Sequence, residues 1–220
     1  MINVAINGFG RIGRTLASII LKSDKFNLIA INDLADPATL AHLFKYDSIH
    51  PRKVKVEYSN GDFHIDSQHI KSFQVKDVAI LPWNDLKIDL VFECTGKLKS
   101  RVDLQKHIDS GAKKVILSSP PSEGDDLKTI VLGVNETIIN KTDTLISNAS
   151  CTTNSAAHLL KNIHDLCKIE SAYITTVHSY TGDQTLHDTP HKDLRRARAA
   201  ATSIIPTTTG AAKALTRIFP

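Results

Sequence analysis

The sequence predicts an α/β protein with a doubly wound, mainly parallel sheet, followed from about residue 150 by a segment of α+β character. Three observations predict this. An apolar strand, Ile2 to Ile6, runs directly into Gly8-Phe9-Gly10-Arg11-Ile12-Gly13 and an amphipathic helix. Short apolar strands then alternate with helices as far as Asn148. At that point an irregular polar stretch gives way to one long amphipathic helix that begins at Cys151.

The elements follow in order. The helix after the glycine turn, roughly Arg11 to Lys22, carries Ile12, Leu16, Ile19 and Ile20 at helical spacing. A second strand, Asn27 to Ile31, ends at Asn32-Asp33. Strand, G-x-G-x-x-G, helix, strand and acid together form a Rossmann-type dinucleotide signature, far more specific than a lone glycine pattern. Gly8, Gly10 and Gly13 permit a tight turn and let a pyrophosphate approach the helix N-terminus. Asp33, about 20 residues further on, is placed to hydrogen-bond the ribose hydroxyls, and its charge repels a 2′-phosphate. The expected cofactor is therefore NAD and not NADP.

The alternation continues with a helix near Pro37 to Lys45 and strand-like runs at Lys53 to Tyr58, Asp62 to Ile65 and Ile70 to Val75. Short pieces at Ala79 to Leu81 and Leu90 to Phe92, a helix from about Ser100 to Ser110 and a strand from Lys114 to Leu117 complete it. Ligands of such sheets bind beyond the carboxyl ends of the strands, so the turns at Thr95-Gly96 and Ser118-Ser119 are expected to face the cofactor. The first domain is read as residues 1–149 and the second as 150–220.

In the second part, Cys151 to Cys167 reads as one helix with Ala156, Leu159, Leu160, Ile163 and Leu166 on its apolar face and Asn148 or Ser150 as its cap. Cys151 lies at the positive end, where exposed N–H groups and the helix dipole favour a thiolate. His178, in the strand-like segment Ala172 to Thr181, supplies a base for it. Cys167 and Cys94 are expected in the core. His187 and His191 are separated by Pro190, which rules out the helical pair that a zinc site would use, so no metal is expected.

Between Thr181 and Thr202 runs a polar, basic segment too long for a simple connection, which marks a functional or interface loop. Thr207-Thr208-Thr209-Gly210 then opens a helix from Ala211 to Arg217, a combination of hydroxyls and N–H groups suited to phosphate.

Composition narrows the class. The 220 residues are 41% hydrophobic and 23% charged, the balance of an ordinary globular protein. Lys and Arg number 27 against 23 Asp and Glu, and much of the surplus is local, at Lys192, Arg195, Arg196 and Arg198. That cluster reads as a patch for small anions and not as a nucleic-acid face. Three cysteines are too few for a disulfide framework or a zinc site. The first strand starts directly at the N-terminus, without a basic leader, and no apolar run approaches ~18 residues. A cytoplasmic protein with reduced thiols and no membrane association is expected.

Read this far, the chain resembles phosphorylating glyceraldehyde-3-phosphate dehydrogenases of the bacterial and organellar type. The strings that carry the resemblance are Ile6-Asn7-Gly8-Phe9-Gly10-Arg11-Ile12-Gly13-Arg14, Asn32-Asp33-Leu34, Ser147-Asn148-Ala149-Ser150-Cys151-Thr152-Thr153-Asn154, His178-Ser179-Tyr180-Thr181, His191 to Ala200, and Ser203 to Ala214. They are in the family's order and run from end to end of the chain.

The resemblance implies that Cys151 attacks the aldehyde of glyceraldehyde 3-phosphate, that His178 takes its proton, and that inorganic phosphate releases the resulting thioester as an acyl phosphate. It implies that the backbone N–H of Cys151 and the ring of His178 hold the oxyanion. Ser150, Thr152, Thr209 and Gly210 match the family's inorganic-phosphate positions, Thr181 and Arg196 its substrate contacts, and Arg11, Ile12, Asp33, Lys76 and Ser118 its cofactor contacts. The basic loop after Thr181 resembles a segment at subunit interfaces, which implies a homotetramer. Family members continue beyond Pro220, so residues 150–220 are expected to form only the N-terminal part of the α+β catalytic domain, and this chain alone is expected to lack appreciable activity. Rival readings are an erythrose-4-phosphate dehydrogenase, a semialdehyde or acyl-phosphate reductase, against which Asp33 and Leu34 argue, and a non-catalytic NAD-binding module.

Overall fold

The computed structural model of the chain describes residues 1–51 and 53–219. It divides into two compact units, Met1–Ser150 and Cys151–Pro220, the last residue of the second lying outside those described.

The first unit is built on β1 (Ile2–Asn7), α1 (Arg11–Ile20), β2 (Phe26–Asn32), α2 (Pro37–Lys45), β3 (Val56–Ser59), β4 (Asp62–Ile65) and β5 (Gln68–Phe73). It continues with β6 (Leu90–Glu93), α3 (Arg101–Asp109), β7 (Lys114–Leu117), β8 (Lys128–Thr129) and β9 (Leu145–Ser147). Among the described residues these nine strands form one sheet in the order β3-β4-β5-β2-β1-β6-β7-β9-β8. Only β3-β4 and β4-β5 pair antiparallel; β5-β2, β2-β1, β1-β6, β6-β7, β7-β9 and β9-β8 are parallel. The fold is therefore an α/β Rossmann-type sheet, mostly parallel, as the alternating pattern predicts.

Side chains of β1 alternate between two cores, as the two-residue period of a strand requires. Val4 and Ile6 join Phe9, Ala17, Leu28, Phe44 and Phe63 on one face. Ala5 joins Ala30, Trp83, Val91, Leu104 and Val115 on the other, under α3. The sheet reverses its winding between β1 and β6, since β2 lies on one side of β1 and β6 on the other. Such a switch point leaves a crevice outside the carboxyl ends of the two strands.

Several details differ from the sequence expectation. In α1 the buried positions are Gly13, Arg14, Ala17 and Ile20, while Ile12 is 53% and Ile19 61% exposed. The buried stripe is set by Gly13, which must press against the turn it follows. Ala79 lies in a 3-10 turn, Val78–Ile80, capped by the Asp77 carboxylate accepting from the Ala79 N–H. Strands β8 and β9 are too short for their periodicity to be recognised.

The second unit contains α4 (Cys151–Cys167), a 3-10 turn at Leu194–Arg196 and α5 (Ala211–Leu215), which packs on α4. Thr153 and Ala157 are the buried positions of α4, and Leu159, Ile163 and Leu166 of the expected apolar face are exposed. Cys167 is exposed too, its thiol donating to the Ile163 carbonyl at 3.2 Å, and so is not a core residue. The segment 172–181 forms no strand: it has no ladder partner among the described residues, and Val177 is fully exposed. Alternating apolar side chains make a strand only where a neighbouring strand accepts their backbone bonds.

Candidate active site

The nucleophile site lies within the second unit. Cys151 is the first residue of α4, where backbone N–H groups lack intrahelical partners. His178 comes from the extended segment, and its Nε2 lies 3.4 Å from Cys151 Sγ. On the other side of the ring, Nδ1 lies 2.6 Å from the Ser179 carbonyl oxygen. A carbonyl only accepts, so Nδ1 carries the proton and Nε2 is left to accept one from the thiol.

Each partner tunes the other. The hydrogen bond to His178 is the chief cause that holds the Cys151 thiol below its ordinary range, against a partial desolvation that works the other way, with smaller help from the Thr152 hydroxyl and N–H. The bond to Cys151 likewise raises the His178 imidazole, with the Ser179 carbonyl adding to it. The arrangement favours a thiolate beside an imidazolium, which is the reactive form of a cysteine nucleophile. Thr152, half-buried in the first turn, has its Oγ1 4.0 Å from Cys151 Sγ. Ser150 immediately precedes the helix.

The basic loop folds on itself. The Thr185 carbonyl accepts from Ala200 N–H at 2.9 Å, and Asp188 accepts from Ala199 N–H and pairs with Arg198. Asp193 caps the Leu194–Arg196 turn and is paired with Arg195, which lowers the Asp193 carboxyl. Arg196 also stands by that carboxylate, its Nε 4.0 Å from Asp193 Oδ2, and donates through Nη2 to Thr207 Oγ1 at 2.8 Å. Around that contact lies a pocket of about 440 Å³ lined by Asp183, His191, Lys192, Asp193, Arg196, Thr207 and Thr208. Its lining carries two cations, Lys192 and Arg196, two carboxylates, Asp183 and Asp193, and two hydroxyls, so only the side formed by Lys192, Arg196, Thr207 and Thr208 suits an anionic group. Thr181 is exposed, its N–H donating to Gln184 Oε1. Thr209 lies one residue beyond the pocket lining, with its hydroxyl accepting from Ala211 N–H at the Gly210 start of α5. Among the described residues no cluster of His, Cys, Asp and Glu could hold a metal.

The first unit presents a separate cradle. Gly8 has φ +94°, and a Cβ there would stand 2.6 Å from the Thr95 backbone nitrogen. A Cβ at Gly13 would stand 2.1 Å from the Gly8 carbonyl oxygen. Gly10, by contrast, meets nothing within 4 Å and opens α1 without a side-chain cap. The turn thus brings β1, β6 and α1 together where only glycine fits, and leaves the helix start clear for an incoming anion.

Asp33 Oδ2 accepts from Phe9 N–H at 2.6 Å and Oδ1 from Ala35 N–H at 2.9 Å. The carboxylate therefore ties the end of β2 to the glycine turn while each oxygen keeps a lone pair for a ligand hydroxyl. Arg11 is held beside the turn by Asp47 at 2.8 Å, and Ile12 is exposed next to it. Lys76 is exposed beyond β5, and Ser118 is half-buried at the end of β7, its N–H donating to the Glu93 carbonyl. Cys94 lies beneath, its thiol pushed up to about 12 by burial and so inert.

Sequence reasoning placed the Thr95-Gly96 turn toward the cofactor but gave no role to the polar residues that close the strands of this cradle: Asn7, Asn32 and Glu93. The signal was available, since Asn7, Asn32 and Glu93 each follow an apolar run directly, yet nothing in the sequence tells which of them meet.

Two family models and several relatives match this chain. Residues 2–101 match the model of the glyceraldehyde 3-phosphate dehydrogenase NAD binding domain, and residues 150–220 that of the C-terminal domain of the same family. A glyceraldehyde-3-phosphate dehydrogenase of Thermotoga maritima is 52% identical over 218 residues, covering 98% of this chain and 65% of its own length. Those of Clostridium acetobutylicum and Clostridium pasteurianum are each 48% identical over 223 residues, covering 100% of this chain and 66% of their own. The chain spans about two-thirds of the length of these relatives. With both family models matched in order and about half of all positions identical, this chain belongs to the glyceraldehyde-3-phosphate dehydrogenase family.

Proposed function

We propose that this chain carries the nucleophile and base of an NAD-dependent, phosphorylating oxidation of glyceraldehyde 3-phosphate to 1,3-bisphosphoglycerate. The observation that carries the reading is the 3.4 Å approach of Cys151 Sγ to a His178 ring whose tautomer is set by Ser179. Residues 1–149 would be the NAD-binding domain and 150–220 the N-terminal part of the catalytic domain.

In this reading His178 Nε2 takes the Cys151 proton as the thiolate adds to the aldehyde carbon. The imidazolium and the Cys151 N–H then stabilise the alkoxide of the hemithioacetal, which takes the Nε2 proton to become a hydroxyl and returns His178 to its neutral form. His178 removes the hydroxyl proton of that adduct as its C–H bond is lost and the carbonyl re-forms, which leaves a thioester on Cys151. NAD, when bound, supplies the hydride acceptor. Phosphate oxygen attacks the thioester carbonyl, and the thiolate leaves with the electron pair of the C–S bond. The energy of oxidation is kept in the acyl phosphate.

NAD would be held by Gly8, Gly10, Arg11, Ile12, Gly13, Asp33, Lys76 and Ser118. Arg196 and Thr181 would hold the substrate, and Ser150, Thr152, Thr209 and Gly210 the inorganic phosphate. Support for an anionic group there is the Lys192, Arg196, Thr207 and Thr208 side of the pocket, whose lining also holds Asp183 and Asp193. The phosphate positions favour the glyceraldehyde substrate over erythrose 4-phosphate, because only a phosphorolytic second step requires them. A cytoplasmic homotetramer follows from the same reading; among the described residues no helix is long and apolar enough to cross a membrane.

Incubating the purified protein with glyceraldehyde 3-phosphate and NAD tests this. Intact-mass spectrometry is expected to show an acyl adduct on Cys151 that accumulates without phosphate, discharges when phosphate is added, and is absent from Cys151→Ser. An adduct elsewhere, or one that discharges equally without phosphate, would overturn the reading. Acylation by erythrose 4-phosphate but not by glyceraldehyde 3-phosphate would transfer it to that substrate.

A further inference from the structure

We propose that Glu93 is a positioning residue for the nucleotide site, holding the ends of β1 and β6 at the spacing that the dinucleotide needs. This rests on the reading that the first unit binds NAD.

Glu93 closes β6 and is fully buried, as is His107 on α3. Its two carboxylate oxygens face four donors. Oε2 accepts from Asn7 Nδ2 at 2.5 Å and from His107 Nε2 at 3.2 Å. Oε1 accepts from the Thr95 N–H at 2.8 Å and from the Thr95 hydroxyl. Trp83 Nε1 donates to His107 Nδ1 at 3.0 Å, so the His107 proton is on Nε2 and directed at Glu93.

The bonds do not stop at the carboxylate. Asn7 Oδ1 accepts from Asn32 Nδ2 at 2.7 Å, and Asn32 exchanges two bonds with the backbone of Val75. The network thus runs along the carboxyl ends of β6, β1 and β2 to the segment after β5. Three of its members are next in sequence to a proposed cofactor residue: Asn7 to Gly8, Asn32 to Asp33, Val75 to Lys76. Glu93 also secures Thr95, the residue whose backbone lies where a Gly8 side chain would be.

A buried carboxylate is a costly way to close a strand, and an apolar residue of similar volume generally stabilises a fold as well or better. Three of its four donors come from Asn7 and Thr95, at the ends of β1 and β6 that border the switch point, and the fourth from the buried His107 on α3. That is the pattern of a group that sets loop spacing. The Thr95 hydroxyl is already engaged, donating to Glu93 and accepting from Lys97 N–H at 3.1 Å, so it acts through the network and not on a ligand.

Replacing Glu93 by Gln keeps its shape but turns an NH₂ toward an existing donor. Calorimetric titration of NAD into the folded chain, with circular dichroism to confirm folding at the same temperature, is the test. Glu93→Gln is expected to raise the Kd for NAD at least tenfold. Should that variant not fold, Thr95→Val is expected to raise it several-fold while Thr95→Ser, which restores the hydroxyl, returns it to the wild-type value. Folded Glu93→Gln with unchanged Kd, or Thr95→Val and Thr95→Ser with equal Kd, overturns the inference even where the melting temperature falls, since that is the result of a merely structural group. Failure of the wild-type chain to bind NAD would instead remove the underlying reading, and this inference with it.

Discussion

Cys151 Sγ and His178 Nε2 lie 3.4 Å apart, one at the first residue of a 17-residue helix and the other on an extended segment with no strand partner among the described residues. The helix supplies a fixed platform and the segment a base whose ring is oriented by a single backbone carbonyl. The two shifts oppose each other in sign: the thiol is lowered and the imidazole raised. Between the two pKa values, the direction of both shifts extends the pH range over which thiolate and imidazolium coexist.

The first prediction follows from that pairing. The rate of iodoacetamide alkylation at Cys151 should fall only as pH drops through the lowered thiol pKa, below the midpoint of about 8.5 for a free thiol. His178→Asn removes the bond that lowers it, so the midpoint should move up and alkylation at neutral pH should slow. The single-turnover rate of Cys151 acylation should drop about a hundredfold or more with loss of the base. A pH–rate profile for the two proteins measures both effects.

The three cysteines should react in order. Burial pushes Cys94 to about 12, and Cys167, though exposed, has its thiol proton engaged by the Ile163 carbonyl. Peptide mapping after brief alkylation at neutral pH should find Cys151 modified first, Cys167 more slowly, and Cys94 only after denaturation. Early labelling of Cys94 would mean that the ends of β1 and β6 are not packed as described.

Gly8→Ala should be poorly tolerated. The residue would adopt a positive φ and press its methyl group to 2.6 Å from the Thr95 nitrogen, with backbone and not a flexible side chain in the way. A loss of about 1–3 kcal/mol in urea unfolding is expected, together with weakened NAD binding. Gly10→Ala, with nothing within 4 Å of its Cβ, should leave stability nearly unchanged and serves as the control.

Asp33→Ala removes both a proposed ribose ligand and the carboxylate that accepts from Phe9 N–H at 2.6 Å. NAD affinity should fall by about tenfold or more, the scale of a lost hydrogen bond to a charged group. The preference for NAD over NADP should narrow, because the charge that repels a 2′-phosphate is gone. Parallel titrations with both nucleotides separate the two effects.

Much of this protein is determined by its sequence alone. The strand, glycine turn and helix from Ile2 to Ile20 are local in origin, because strand period, helix period and a left-handed glycine are properties of short segments. The helix start at Cys151 is local in the same sense, and so are the acid at Asp33 and the threonines before Ala211. Period alone did not decide which face of α1 or α4 is buried, and it wrongly suggested a strand around His178. Burial and strand formation depend on what lies opposite, and that is a property of the whole chain.

Only the tertiary structure decided the direction in which the polar ends of the strands point. Asn7, Asn32 and Glu93 are far apart in sequence and individually ordinary, yet the parallel register of β2, β1 and β6 brings them side by side beneath the glycine turn, where Glu93 also meets its near neighbour Thr95. In the second unit the fold likewise set the tautomer of His178, through a carbonyl that any residue at 179 would provide. A side chain's identity is written in the sequence, but its hydrogen-bond partner is a distance, and distances exist only once the chain has folded.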